Sequence, residues 1–398
     1  MNRETEVQLL RDALGLTQAG AHSMAASEVE QPVSDYTDPI RFNTELEVMA
    51  RSLNVVAHAS QVPEPGSFIT REIVGRPVLI TRGLDGTVRA FLNVCRHRGA
   101  RVETRESGRC RAFVCPYHAW TYRTDGTLAS VRQPEGFPSV DFGTAGLVPL
   151  PCVESAELIW VNPSGEGEQE LPTSTVAVLA ELEGLGCVNS IVQHSDSKVW
   201  RANWKLIADG GLESYHFKIA HRRSIAPLFP DNVSIQEFLG RNVRTVLPTS
   251  TMPELLNRPE SDWRIRDYTH VVYALWPNAT VLVQEGHYTL ATIQPVAIDQ
   301  TEISVATVVP RAQSEQDQAY WRANHDFTMK TLDEDFVIGE QIQAGMATGA
   351  NTTFRFGLFE GALGRWHEML REEVAGHLDL RRSTRSSPTA TAPSHSFE

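Results

Sequence analysis

Two cysteines and two histidines stand in close-set mixed pairs: Cys95-Arg96-His97 and, after the seventeen residues 98–114, Cys115-Pro116-Tyr117-His118. Each pair sits where a strand pattern runs into a turn, and neighbouring loops of that kind can converge on one metal centre. Two thiolates and two imidazoles suit a tetrahedral zinc ion. They also suit a [2Fe–2S] cluster in which two Cys hold one iron and two His the other. Zinc sites more often pair Cys with Cys and His with His. One Cys and one His per loop fits a cluster to which each loop gives one ligand per iron. Four unrelated residues in a β module would be the ordinary reading of a lone C-x-H, since free Cys is often a small buried hydrophobe. Both pairs together favour a metal. Cys110, Cys152 and Cys187 lack such spacing and are expected to pack.

A second set lies further on. His216 and His221 are five residues apart, about 500° on a helix, so an ideal helix would splay them by roughly 140°. The segment must bend to bring both to one metal. Two imidazoles with one distant carboxylate form the facial triad that holds Fe(II) and leaves positions open. Asp333, Glu334 and Asp335 offer that carboxylate, and the residues alone do not choose among them; acids are favoured at a helix start in any case.

The elements that must position these residues read as α+β. The 398 residues are 41% hydrophobic and 21% charged, an ordinary globular composition. Lys+Arg number 36 against Asp+Glu 49, a formal charge of −13. So acidic a chain is a poor partner for nucleic acid or an anionic membrane. No apolar stretch approaches the about 20 residues of a membrane span, and the first residues, with early acids and no continuous apolar run, are not expected to act as a secretory signal. Five cysteines, an odd and low count, argue for a reducing compartment, and a cytoplasmic location is expected.

Residues 1–35 read as a peripheral extension: a helical pattern at Val7, Leu10 and Leu14, then a small, polar linker. Residues 36–160 begin with a helix and continue as an all-β module with hairpin turns at Asp85-Gly86 and Asp125-Gly126. Residues 161–381 mix helices with antiparallel strands: 201–221 helical, 270–311 alternating, 318–346 a long helix. Residues 382–398, rich in Ser, Thr and Pro, are expected to be a disordered tail. No Gly-rich dinucleotide fingerprint occurs, so no nicotinamide or flavin site is expected on this chain. Six arginines (96, 98, 101, 105, 109, 111) against Glu103 and Glu106 mark either a docking face for an acidic electron donor or simple compensation of cluster charge.

CRHRGA followed by CPYHAWTY, with Asn203-Trp204-Lys205, Tyr215-His216 and His221, resembles the Rieske non-heme iron oxygenases, the ring-hydroxylating oxygenase α-subunits, over residues from about 36 to about 380. The resemblance implies an N-terminal Rieske domain, its [2Fe–2S] cluster held by Cys95, His97, Cys115 and His118. It implies a C-terminal helix-grip-like domain with a mononuclear Fe(II) on His216, His221 and Asp335. It assigns Glu213 a bridge between a cluster histidine of one subunit and an iron-ligand histidine of the next; family members commonly have Asp there, and Glu occurs in branches acting on quaternary ammonium compounds. The implied activity is that of a terminal oxygenase using O2 and electrons from NAD(P)H, delivered by a ferredoxin and/or flavin reductase. The substrate would be a small organic molecule undergoing dihydroxylation, monohydroxylation or oxidative demethylation, with an aromatic in hydrocarbon catabolism as the main reading and a quaternary ammonium compound undergoing monooxygenation as the alternative. A homotrimer, with or without a β-subunit, is implied. A pure Rieske electron carrier or a zinc-stabilised binding module would have no use for the second set.

Asp209 is followed by Gly210 and Gly211 where family members often have Asn and a bulky residue. The glycines either enlarge a pocket or relieve the bend. Tyr273, Trp276, Gln284, His287 and Tyr288 are candidate pocket residues.

Overall fold

The computed structural model describes residues 1–315 and 318–386. Helix α1 (Arg3–Ala19) starts where the Asn2 side chain accepts the Thr5 N–H and ends at Gly20, whose φ of 58° is left-handed. Its Leu9, Leu10, Ala13 and Leu14 are buried in the largest apolar core. Each fully buried leucine contributes about 1.5–3 kcal/mol, so this segment is an integral part of the fold and not the peripheral one expected. The segment expected to be a linker also carries structure: Val29–Pro32 pairs antiparallel with Thr353–Phe356. Helix α2 (Ser34–Thr37) and helix α3 (Pro39–Ala50) follow, α3 capped by Asp38 with Pro39 in its first turn.

The β module holds a five-stranded antiparallel sheet built on Ser67–Ile73, Arg76–Arg82 and Val88–Leu92. A three-stranded sheet of Asn54–His58, Leu158–Val161 and Cys152–Ser155 packs with it. A second three-stranded sheet, Ala112–Val114, Thr121–Arg123 and Leu128–Ser130, carries the second Cys/His pair at its first turn. Both expected hairpin turns form. Asp85 and Asp125 each accept the N–H two residues on, and Gly86 and Gly126 take φ of 82° and 84°.

Helix α4 (Thr173–Gly184) leads into a seven-stranded antiparallel sheet. Its spatial order is Ser190–Trp200, Gln300–Pro310, Tyr288–Ala297, Ala279–Val283, Thr269–Leu275, Asn242–Pro248 and Ile235–Leu239. One face packs on α1 and α4 through Val271, Tyr273 and Val281. Because strand side chains alternate, His270, Val272, Thr280 and Leu282 face the other way, toward a cavity. The stretch 201–221 is not one helix: α5 (Trp204–Gly210) stops, a turn intervenes, and α6 (Phe217–Ala220) is a single turn. A further turn of helix, α7 (Ile265–Tyr268), precedes the central strands. Helix α8 (Gln318–Met346) lies beside α5, with Phe336 buried against Trp200 and Ile207. Helix α9 (Gly361–Ser386) buries Trp366, Met369 and Leu370 against Phe42 and Met49 of α3. It runs through Ser386, so the first residues of the expected tail are helical; residues 387–398 lie outside the described residues. No helix among the described residues is long and apolar enough to cross a membrane.

Candidate metal centres and substrate cavity

The two Cys/His loops are copies of one backbone device. The Cys95 N–H donates to Ala100 O at 2.8 Å and the Gly99 N–H to Cys95 O at 2.9 Å. In the second loop the Cys115 N–H donates to Trp120 O at 2.9 Å and the Ala119 N–H to Cys115 O at 3.0 Å. The closing residue is left-handed in both, Gly99 at φ 79° and Ala119 at φ 59°. Each loop thereby turns its Cys inward and sets its His beside the other, with ring centroids 4.7 Å apart. Cys95 and Cys115 are buried, and burial pushes the Cys115 thiol up. His97 Nδ1 and His118 Nδ1 are buried and have no hydrogen-bond partner. Such orphaned nitrogens are costly unless something binds them. Two paired thiols beside two open imidazole nitrogens fit a metal cluster that takes all four. Tyr122 Oη lies 3.3 Å from Cys95 Sγ and accepts the Arg96 N–H at 3.0 Å. Burial and Cys95 push its phenol up, so it stays a donor toward the sulfur. His97 stacks on Trp120 at 5.0 Å.

Half of the arginine patch is neutralised locally: Arg101 pairs with Glu72, Arg105 with Glu103 and Arg109 with Glu64. Among the described residues Arg96, Arg98 and Arg111 enter no salt bridge, and Arg98 lies over the exposed Tyr117 ring at 5.4 Å. The remaining cysteines pack as expected. Burial pushes Cys152 up to about 12 and Cys187 up to about 11, which leaves both as unreactive thiols.

The second set converges on one point. His216 and His221 bracket α6, at its start and its end, and this broken helix cancels the splay of the five-residue spacing. Asp335 Oδ1 stands 2.9 Å from His221 Nε2 and 3.4 Å from His216 Nε2. One ligand atom from each of the three lies within 4.8 Å of the others. The acidic run on α8 divides its work by direction around the helix. Asp333 faces Lys198 at the surface, 3.0 Å away. Glu334 accepts from His221 Nδ1 at 2.9 Å and from Ser224 Oγ at 2.5 Å. Asp335 faces both Nε2 atoms. Glu213 takes His216 Nδ1 on one oxygen and the Tyr215 and His216 N–H groups on the other. Each imidazole therefore has a carboxylate on Nδ1 and presents Nε2, the arrangement that orients metal ligands. Burial opposes charge on His221, yet Asp335 and Glu334 outweigh it and raise its pKa. So much negative charge around two rings suits a divalent cation. Sequence reasoning missed Glu334 and Ser224 as supports; the signal was the residue adjoining the candidate ligand.

These residues open on a cavity of about 580 Å³. Its walls are mostly apolar, with Phe217, Phe229, Phe336, Phe354 and Phe356, and its sheet floor carries Thr245, Thr280 and Thr289. Burial, then His287, pushes the lining His270 down to about 4, so it is neutral near pH 7. Gly210 and Gly211 line the cavity, and a Cβ at Gly210 would meet nothing within 4 Å. Of the five expected pocket residues only Gln284 reaches it. Tyr273 lies on the opposite sheet face and donates to Glu181 at 2.9 Å. Tyr288 Oη lies 3.2 Å from Ser190 Oγ, His287 packs on Trp321, and Trp276 is in the core beside α9. Polar or aromatic type selected these five, and residue type does not say which face of the sheet a side chain takes.

Residues 52–142 match the family described as Rieske [2Fe-2S] domain, and residues 189–376 match Ring hydroxylating alpha subunit (catalytic domain). The chain belongs to the Rieske oxygenase α-subunits, in which these two domains imply a [2Fe–2S] cluster and a mononuclear iron. It is 35% identical over 217 residues to the carnitine monooxygenase oxygenase subunit of Escherichia coli K12, a match covering 52% of this chain and 54% of that one. The chain thus spans about half the length of that relative. It is 28% identical over 331 residues to the chloroplastic choline monooxygenase of Spinacia oleracea, covering 82% and 73%. The fold is shared with the quaternary ammonium Rieske monooxygenase CntA in complex with gamma-butyrobetaine: TM-score 0.72, 23% identity, 92% of this chain and 98% of that one. It is also shared with a naphthalene 1,2-dioxygenase variant bound to phenanthrene: TM-score 0.66, 24% identity, 80% of each chain.

Proposed function

We propose that this chain is the terminal oxygenase of a cytoplasmic system that hydroxylates or oxidatively demethylates a small substrate, with quaternary ammonium compounds the favoured class. Electrons would come from NAD(P)H through a separate reductase or ferredoxin. The observation that carries the reading is the convergence of His216, His221 and Asp335 at the wall of a 580 Å³ cavity, in a chain that also builds the paired Cys/His loops. Cys95 and Cys115 would hold one iron of the cluster, His97 and His118 the other, and the triad would hold Fe(II). When bound, the two groups supply single-electron storage and dioxygen activation. The chain's own residues do the rest. Glu213 and Glu334 hold His216 and His221 in one tautomer, with Nε2 free. The apolar walls exclude water and seat the substrate beside the triad. In a homotrimer, Glu213 would reach a cluster histidine of the next subunit. The quaternary ammonium class draws on the names of the relatives and on Glu in place of Asp at 213; the aromatic class draws on the structural likeness to a naphthalene dioxygenase.

Purified protein with a generic reductase tests this through coupled O2 uptake and product mass. His216→Ala is expected to abolish oxygenation and to keep the cluster spectrum. A colourless, zinc-bearing protein would end the reading, and full electron transfer with no oxygenation of any substrate would favour a carrier.

A further inference from the structure

Three residues far apart in sequence meet at the cavity wall. Tyr36 Oη donates to Asp209 Oδ2 at 2.7 Å. His367 Nε2 lies 2.8 Å from Asp209 Oδ1 and 2.9 Å from Tyr36 Oη. Tyr36 and His367 are 1% and 0% exposed, whereas Asp209 lines the cavity. Burial and Asp209 push the Tyr36 phenol well above its usual range, so it keeps its proton. His367 Nδ1 is buried without a partner, so the ring meets this cluster through Nε2 alone. Tyr36 and His367 thus hold the Asp209 carboxyl from the buried side, and among the described residues no Lys or Arg pairs with it.

The other acids of the cavity are committed. Asp335 and Glu213 face the histidines. Glu360 accepts the Gly357 N–H, and burial followed by nearby Glu213 and Asp209 raises its pKa toward the neutral form. The one basic lining residue, Arg355, is exposed and pairs with Glu30. Beside Asp209, Gly210 leaves open space. Phe354 packs edge-on against Tyr36 and Phe356 stacks on His367, and both line the cavity. A carboxylate among aromatic rings in a low-dielectric cavity attracts a cation strongly.

We propose that Asp209 is the specificity-determining residue that seats the cationic nitrogen of the substrate, with Phe354 and Phe356 as aromatic walls and with Tyr36 and His367 as positioning residues. The inference rests on the quaternary ammonium reading above and names the residue responsible for it.

Calorimetric binding of choline and of its neutral isostere 3,3-dimethylbutan-1-ol to the iron-loaded protein tests it. The wild type should prefer choline. Asp209→Asn should weaken choline binding by about 10–100-fold, roughly 1.4–2.8 kcal/mol, and move the neutral alcohol by less than about twofold. Tyr36→Phe, which keeps the charge but frees the carboxylate, should lose part of the preference; it carries the same test if Asp209→Asn does not fold. An undiminished choline preference in both variants overturns the assignment and leaves the substrate class standing. A wild type that does not prefer choline overturns the assignment and the substrate class together, while coupled O2 uptake judges the oxygenase reading separately.

Discussion

Lys205 Nζ lies 2.5 Å from Glu45 Oε2, and both side chains are fully buried. Glu45 also accepts from Trp204 Nε1 at 3.1 Å and from Arg41 Nε at 3.0 Å. This contact joins α3, which precedes the β module, to α5, which opens the catalytic helices and presents Asp209. Removing one partner strands the other charge, so Glu45→Ala is expected to destabilise by about 3–5 kcal/mol. Glu45→Met with Lys205→Met should recover most of that loss. Thermal unfolding of the three proteins checks it; a single variant as stable as the wild type would contradict the pairing.

Glu334 should matter for iron and Asp333 should not. Loss of the carboxylate on His221 Nδ1 in Glu334→Ala is expected to weaken Fe(II) binding by about 10–100-fold with the cluster spectrum intact. Asp333→Asn removes only an exposed pair with Lys198, worth less than about 1 kcal/mol, and should leave iron content unchanged. Iron titration after chelation distinguishes the two.

Gly210 and Gly126 should respond oppositely to alanine. At Gly210 the new methyl enters open space in the cavity. Stability should hold or rise by up to about 1 kcal/mol, and the smaller cavity should raise KM for bulkier substrates. At Gly126 φ is 84° and the methyl would collide with the Phe91 ring, so Gly126→Ala should destabilise by about 2 kcal/mol or more. Denaturant midpoints and a substrate-size series read both.

Glu157 ties the β module to the catalytic sheet, accepting from the Ser190 N–H at 2.9 Å and Ser190 Oγ at 2.7 Å. Burial opposes its charge, but His58 and Ser190 outweigh burial and hold it down at about 2, against 4.5 ordinarily. A depressed carboxyl stabilises above its unfolded pKa and loses that contribution as pH falls through the folded one. Glu157→Gln should therefore lose on the order of 2 kcal/mol at pH 7 and draw level with the wild type as pH drops from about 4.5 to about 2. Parallel stability–pH curves for the two proteins would refute this.

Much of the site was legible because its chemistry is local. The Cys/His spacing and the turn residues around it specify each loop, and Asp85-Gly86 and Asp125-Gly126 specify their hairpins without help from distant residues. His216 and His221 were visible as a pair, as was the need to break the helix between them. Family resemblance, not spacing, singled out Asp335 from its neighbours.

The amino-acid order by itself determined which residue types could bind metal, where the chain turns, and which positions alternate on a strand. Tertiary structure decided what those positions meet. Alternation cannot say which face of the sheet looks at the cavity, so Tyr273 was expected where His270 stands. Helical spacing in α1 cannot reveal that a core waits for Leu10, and a polar stretch cannot announce that Val29–Pro32 will pair with Thr353–Phe356. Asp209, Tyr36 and His367 share no local pattern; they become a unit only when three helices pack and leave their polar ends facing one another. Periodicity reports which side chains lie together on one element, and only packing supplies their partners.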